Sequence, residues 1–356
     1  MSGSAATVTP GTVPWSRREV LLGAAVLGGS ALLAGLPGAV RAQAGPRWRR
    51  AADLPWAVQE VYGVNRAGRA VIVGGMVVRD GRSQATAQVA VYDPVQDAWQ
   101  AAAPLPTPRH HPAVAVVDDQ LFAIGGARHG LPGEPAGEHW RQQTDVFIER
   151  AGTWQHGPAL PLAQSEGVAL VHAGRIHLIT GRTPLSPSAT RWSEQRDTAF
   201  HQVLDVAQGS WSFAAPAPAA RNSAGGGVIN GYLYLVGGRT MDGGNLARLD
   251  RYDPQHDRWE TLRPLPVPAG GLATAVAGGQ LYAFGGERLE AKGPEGVIAH
   301  SWRYDPALDH WEALPHLPTP RHGLAAVALD DRILLIGGGA LPATGRTTAV
   351  TEALML

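Results

Sequence analysis

Apolar stretches along this chain are short and come in pairs. The clearest case starts at Trp99 and reads WQAAAPLPTPRHHPAVAVVDDQLFAIGG. A short segment carries the Trp and ends at Leu-Pro, and a Pro-containing turn follows. Two short apolar runs then flank a two-residue turn, and the second run ends in Gly-Gly. Short apolar runs bounded by turn residues read as strands. The two-residue turns are Asp118-Asp119, Ala173-Gly174, Asn230-Gly231, Gly278-Gly279 and Asp330-Asp331. Asn-Gly in particular favours a hairpin turn whose twist matches that of its strands.

The pattern repeats. Glycine pairs close the second run at Gly74-Gly75, Gly125-Gly126, Gly237-Gly238, Gly285-Gly286 and Gly337-Gly338, with Thr180-Gly181 as a degraded copy. A Trp precedes each pair: Trp48, Trp99, Trp154, Trp211, Trp259 and Trp311. Every one stands 27 residues before the second residue of its pair. The distance onward to the next Trp varies instead, from 21 to 30 residues. Inside that variable part the chain returns through a third strand, which in three units runs into Tyr-Asp-Pro-x-x-Asp-x-Trp (Tyr92 to Trp99, Tyr252 to Trp259, Tyr304 to Trp311). Each unit is therefore a four-stranded antiparallel meander. One meander cannot bury both faces, but six arranged radially bury each against its neighbours. The sixth unit lacks a following Trp, so the strand at Trp48-Arg49-Arg50 is expected to complete the last blade and close the ring.

The glycine pairs and spaced Tyr and Trp resemble the Kelch-repeat family over residues 46–356, at a period of about 50 residues. The resemblance implies an all-β fold, a six-bladed propeller occupying residues 45–356.

Composition agrees. The 356 residues include 45 Gly, 28 Pro and 11 Trp, as expected of many short strands joined by tight turns. Lys plus Arg and Asp plus Glu are 30 each, which argues against nucleic acid as the main partner. There is no Cys, so disulfides and Cys-ligated metals are excluded.

Residues 1–44 read as an address. A polar stretch ends in Ser16-Arg17-Arg18-Glu19-Val20-Leu21-Leu22, a Gly- and Ala-rich apolar run reaches Val40, and Ala42-Gln43-Ala44 suits cleavage before Gly45. This resembles a twin-arginine export signal, with Val20 where the family pattern has Phe. It implies a periplasmic or extracellular protein with no membrane attachment after cleavage. An uncleaved anchor is the alternative.

In an antiparallel blade the first strand starts, and the second ends, at the same edge. The residues ten to twelve after each Trp and those after each glycine pair should therefore meet on one face around the pore. Length variation concentrated there is the mark of a binding surface on a rigid scaffold. The candidate ligand-binding residues on that face are Arg109, His110, Gln164, Glu166, Arg182, Arg221, Asn222, Arg239, Glu287, Arg321 and His322. Trp192 joins them from a variable loop, and a similar loop holds Glu138, His139 and Trp140. Arg, His and Glu in a ring suit a polar or anionic small ligand, since Arg forks match carboxylates. The same Arg residues also read as strand starts paired to nearby acids. No close histidine spacing marks a metal site, so neither metal nor other cofactor is expected.

The leading expectation is an exported, monomeric binding module for a saccharide, a sugar acid or a protein partner. The alternative resembles the sialic acid mutarotase family (N-acetylneuraminate epimerase), which implies catalysis by a Glu just after a glycine pair and an Arg six residues on. Glu287 fits the first position, but Gly293 stands at the second, so Arg239 or Arg288 would have to serve. Galactose oxidase chemistry needs a Cys cross-linked to Tyr and is excluded.

Overall fold

The computed structural model describes residues 45–129, 140–291, 293–343 and 346–356. The expected leader (residues 1–44), and Glu138 and His139 of the variable loop, lie outside the described residues. There is no α-helix among the described residues, only two 3-10 turns, Trp192–Glu194 and Pro294–Gly296.

Six four-stranded antiparallel sheets form the blades. Blade one uses Tyr62–Arg66, Arg69–Val73, Val89–Asp93 and Ala98–Ala102, from the inside outward. Blades two to five follow the same order, with inner strands Ala113–Val117, Val168–His172, Gly225–Ile229 and Ala273–Ala277. Blade six takes three strands from the end of the chain, Ala325–Ala328, Arg332–Ile336 and Thr351–Met355. Its outermost strand is Arg47–Arg50, with Arg47 opposite Met355 and Arg50 opposite Glu352. The closure expected from Trp48 is therefore present. Each inner strand touches those of the two adjacent blades, and blade six returns to blade one.

Crowding at the axis explains the small residues there. A Cβ on Gly225 would collide with Thr274, and one on Gly63 would sit 2.9 Å from Val327 Cγ2. Further out, the signature residues join blades. The six Trp indoles each donate to a main-chain carbonyl of the segment leaving the previous blade: Pro315, Ala52, Ala103, Pro158, Ala215 and Arg263, at 2.8–3.0 Å. In the three Tyr-Asp-Pro units the second Asp completes the joint. Asp97 accepts from Tyr92 Oη at 2.6 Å and from the Ala52 N–H at 2.8 Å, while Trp99 donates to the same Ala52. Asp257 and Asp309 repeat this on Ala215 and Arg263.

The glycine pair has a second inter-blade role. The N–H of the second glycine donates to the carbonyl ten residues after the next Trp, as in Gly75 to Arg109 (2.9 Å), Gly238 to Ala269 (2.8 Å) and Gly338 to Val58 (2.8 Å). Both glycines have φ between 59° and 110° in five blades, a region that glycine enters without strain. Beyond the pairs, four blades extend into short hairpins over one face: Met76–Arg79 with Arg82–Ala85, Ala127–Arg128 with Arg141–Gln142, Arg182–Pro184 with Gln195–Asp197, and Arg239–Thr240 with Gly244–Asn245. These hairpins raise a rim, and the face becomes a cup.

Candidate functional site

One contact repeats six times at the foot of that rim. The residue eleven after each Trp forms a main-chain bridge with the residue just past the glycine pair: Gln59 with Met76, His110 with Ala127, Ser165 with Arg182, Asn222 with Arg239, Gly270 with Glu287, and His322 with Gly339. The expected meeting of the two segments is thus present in every blade.

The three consecutive positions have different fates. The residue at ten turns under the cup into the blade. Arg109 pairs with Asp145 at 2.7 Å, Arg221 with Asp250 at 2.7 Å and Arg321 with Glu352 at 2.9 Å, each acid from the same blade. Arg321 also donates to the Gly337 and Val350 carbonyls, both at 2.7 Å. Gln164 fills the equivalent place in blade three, accepting from Gln202 at 2.6 Å and donating to the Thr180 carbonyl. Where the chain has Val58 or Ala269 instead, the residue packs in an apolar cluster with Ala90 or Trp302. Burial holds the guanidinium pKa values of Arg109 and Arg321 down to about 10 in spite of their acids. Arg109, Gln164, Arg221 and Arg321 were expected among the ligand contacts. The geometry places them inside the blades, where the Arg-acid pairing read from the sequence applies.

The residue at twelve reaches the axis. Glu60, His111, Glu166, Ser223, Gly271 and Gly323 all have φ of 50–65°, and their main chains hydrogen-bond blade to blade. Their side chains, with those past the glycine pairs, build a buried polar floor. Glu166 takes Arg182 Nε at 3.1 Å and Ser223 Oγ at 2.5 Å, with Arg239 Nη2 at 3.8 Å. Arg239 Nη1 bonds Glu287 Oε1, whose other oxygen accepts from the Ala343 N–H at 2.6 Å. Asn222 Oδ1 accepts from Arg182 and Arg239, and its Nδ2 donates to Asp197 at 2.6 Å. On the other side of the axis Glu60 Oε2 meets His111 Nε2 at 2.9 Å, and His111 Nδ1 lies 2.7 Å from His110 Nδ1. His322 Nδ1 lies 3.3 Å from Glu287 and 3.5 Å from Glu60.

The charges tune one another. Burial alone would raise the pKa of Glu60, but His111, His322 and Arg239 outweigh it and hold the carboxyl well below its usual range. Glu166 is likewise buried yet held low by Arg182, His111 and Arg239. Burial lowers the pKa of Arg182, whereas at Arg239 the acids Glu287, Glu166 and Glu60 overcome burial and raise it.

Above the floor stands an aromatic wall. The Arg182 guanidinium lies 4.3 Å from the Trp192 ring centre and 5.6 Å from that of Trp140. Trp140 meets His110 edge-on at 4.9 Å. Wall and floor enclose a cavity of about 340 Å³, lined by Gln59, Glu60, Met76, His111, Trp140, Trp192, Arg239, Glu287, Leu289 and Ala343. Trp192 remains 36% exposed at its edge. Of the expected residues, Arg239, Glu287 and Trp192 line this cavity, and Glu166, Arg182, Asn222 and His322 support its floor. Glu60 and His111, twelve residues after Trp48 and Trp99, fall on the expected face but were not among the candidate ligand contacts. They occupy the same register as Glu166, which is the signal that finds them. Trp140 and Leu289 come from variable loops and leave no such mark.

A Kelch motif model matches residues 220–266, which covers one repeat. The chain is 28% identical over 284 residues to Kelch-like protein terF of Aspergillus terreus, covering 78% of this chain and 59% of that one. It is 29% identical over 199 residues to beta-scruin of Limulus polyphemus, and 25% identical over 282 residues to human Kelch-like protein 23. It spans less than two thirds of each: 59%, 21% and 46% of their lengths. Among solved structures, that of YjhT superposes with a TM-score of 0.67 at 16% identity, over 86% of this chain and 97% of that one. Six repeats in one register, closed into a ring of six four-stranded blades, agree with these likenesses: the chain resembles Kelch-repeat proteins and has the fold of a six-bladed Kelch β-propeller.

Proposed function

We propose that the cup binds a polar small ligand of the saccharide or sugar-acid class. The observation that carries this is the cavity's composition: two tryptophans on one side, with Arg239, Glu287, Glu60 and Gln59 converging from below in about 340 Å³. Small-ligand sites pair apolar walls with a few fixed polar groups in volumes of about 300–1,000 Å³. A pyranose offers both surfaces, since its C–H face stacks on an indole while its ring of hydroxyls requires donors and acceptors. Arg239 lines the cavity as a fixed cation, and a guanidinium matches a ligand carboxylate in geometry. The more general role, binding of a ligand or protein partner, is what the propeller supports without commitment to a sugar. The leader-like residues 1–44 would place this activity outside the cytoplasm.

Calorimetric titration with neutral sugars and sugar acids tests the reading. Trp192→Ala should abolish or weaken whatever binds, and failure of every sugar and sugar acid to bind the native chain would refute it.

The contact between Arg239 and Glu287 favours a second reading, mutarotation of a sugar acid. Opening a hemiacetal ring needs one group to take the anomeric hydroxyl proton and another to protonate the ring oxygen. Glu287 can exchange a proton while Arg239 orients the substrate carboxylate. Anomer exchange of N-acetylneuraminate followed by NMR should accelerate with the native chain and not with Glu287→Gln.

A further inference from the structure

We propose that Glu60, Glu287 and His322 form a three-ligand site for a divalent transition ion, with Zn²⁺ as the best fit, opening onto the cup. Their donor atoms all lie within 4.8 Å of one another. The residues come from three separate places in the repeat: the start of blade one, the end of a strand in blade five, and the start of blade six. The axis brings them together, so no ligand spacing shows in the sequence.

Proximity of acids alone would carry little. The independent observation is the state of His322, which is fully buried. Its Nε2 is 2.9 Å from the Leu341 carbonyl, an oxygen that can only accept, so Nε2 carries the hydrogen. Its Nδ1 is buried and makes no hydrogen bond among the described residues. Two carboxylate oxygens, of Glu287 and Glu60, lie 3.3 and 3.5 Å from it. A cation is required there, either a proton on Nδ1 or a metal ion shared with the two carboxylates. The tautomer is already that of a metal ligand, since ligating histidines commonly donate their other N–H to a carbonyl or carboxylate.

The donor set and spacing select the ion. Donors about 2.0–2.1 Å from a tetrahedral centre are separated by about 3.3–3.4 Å, near the His322–Glu287 distance. One imidazole with two carboxylates suits Zn²⁺ better than Ca²⁺, which takes six to eight oxygens, or Mg²⁺, which retains most of its water. Glu287 Oε1 has lone pairs for both Arg239 and a metal. Glu60 and Glu287 line the cavity, so the fourth position faces the cup, where a water or a ligand hydroxyl can occupy it. The proposal shares a cavity with the sugar reading but does not rest on it.

The test uses the full chain after chelator dialysis, with metal alone as the probe. Calorimetry should give one Zn²⁺ per chain, and Co²⁺ should develop the strong visible absorption of a four- or five-coordinate centre. Glu60→Gln and His322→Gln should each weaken uptake by at least about tenfold, with circular dichroism confirming that the propeller persists. If a variant does not fold, the Co²⁺ spectrum of the native chain decides alone. Absence of stoichiometric uptake would mean that a protonated His322 supplies the cation, and the proposal fails. Uptake unchanged in both folded variants, or Ca²⁺ binding as well as Zn²⁺, would overturn it too.

Discussion

Two sets of arginines at one face of this ring do different work. Arg109, Arg221 and Arg321 reach back into their own blades and each meet one acid on the same sheet. Arg182 and Arg239, past the glycine pairs, reach across blades. Arg239, from blade four, holds Glu287 of blade five and approaches Glu166 at the entry to blade three. Both sets are buried, both pair with carboxylates, and residue type does not distinguish them. What differs is the direction the backbone gives each side chain. The first set ties strand to strand, whereas the second links blade to blade and forms the cavity floor. An arginine at a propeller mouth is therefore no evidence of a ligand site until its acid has been located.

Several measurements would break or sharpen this contrast. The largest effect should come from Arg321→Ala, which leaves Glu352 buried with only the Thr319 hydroxyl and an Arg50 guanidinium 3.9 Å away, and should cost about 3–5 kcal/mol in denaturant unfolding. Arg321→Met with Glu352→Leu should recover most of that loss, because matched apolar groups can replace a buried pair. Ligand titration at the cup should be the same in the double variant as in the native chain. If it is lost there, the first set belongs to the site after all.

Acid should act on the blade wall. His177 and His201, on adjacent strands of blade three, lie 2.8 Å apart. Burial lowers His177 to about 3 and His201 to about 4. The unfolded chain titrates them near 6.5 and so binds more protons below that pH. Their contribution is complete above about pH 6.5 and is lost as pH falls toward 4, at about 1.4 kcal/mol per pH unit for each proton taken up. Denaturation at pH 7, 6 and 5 should follow that slope, and His201→Gln should flatten it.

A smaller effect is expected at the belt on which both arginine sets hang. Gly237 has φ of 63°, and a Cβ there would lie 2.7 Å from the Ala269 carbonyl. Gly237→Ala should cost about 2 kcal/mol, read as a lowered Tm. The smallest effect on stability should be Trp192→Ala, at most about 1 kcal/mol from the lost stacking on Arg182. Its signature is instead a loss of ligand affinity of about tenfold or more.

The contrast also marks what the sequence could tell. The constant 27-residue register is a covalent fact, and it carried the blade count, the closing strand and the meeting of the two segments at the cup. It could not separate Arg109 from His111. Those residues are two apart, but His111 takes a left-handed φ of 50° that swings it to the axis while Arg109 turns into the blade. The register placed Glu60 on the face, aligned with Glu166, but did not show that it reaches the axis beside His322. Trp140 and Leu289 were not legible, because loops of unequal length have no register to align. The short hairpins past the glycine pairs escaped for a similar reason: Arg239–Thr240 has too few residues to show alternation.

The closing strand has a consequence in time. Arg47–Arg50 is synthesised before the other strands of the propeller, and its partner Thr351–Met355 after them. The Thr351 N–H meets Asp53 across 298 positions of chain. In equilibrium terms such a long closure is cheap, about 2 kcal/mol more than closing a hairpin of twenty residues, because the entropy grows only with the logarithm of length. Kinetically it sets an order of events. Five blades can assemble as the chain emerges, but the sixth waits for Thr351–Met355, and until then one strand edge on each side of the gap stays bare. The ring is fastened last, by a clasp whose two halves are separated in the chain by every other strand of the propeller.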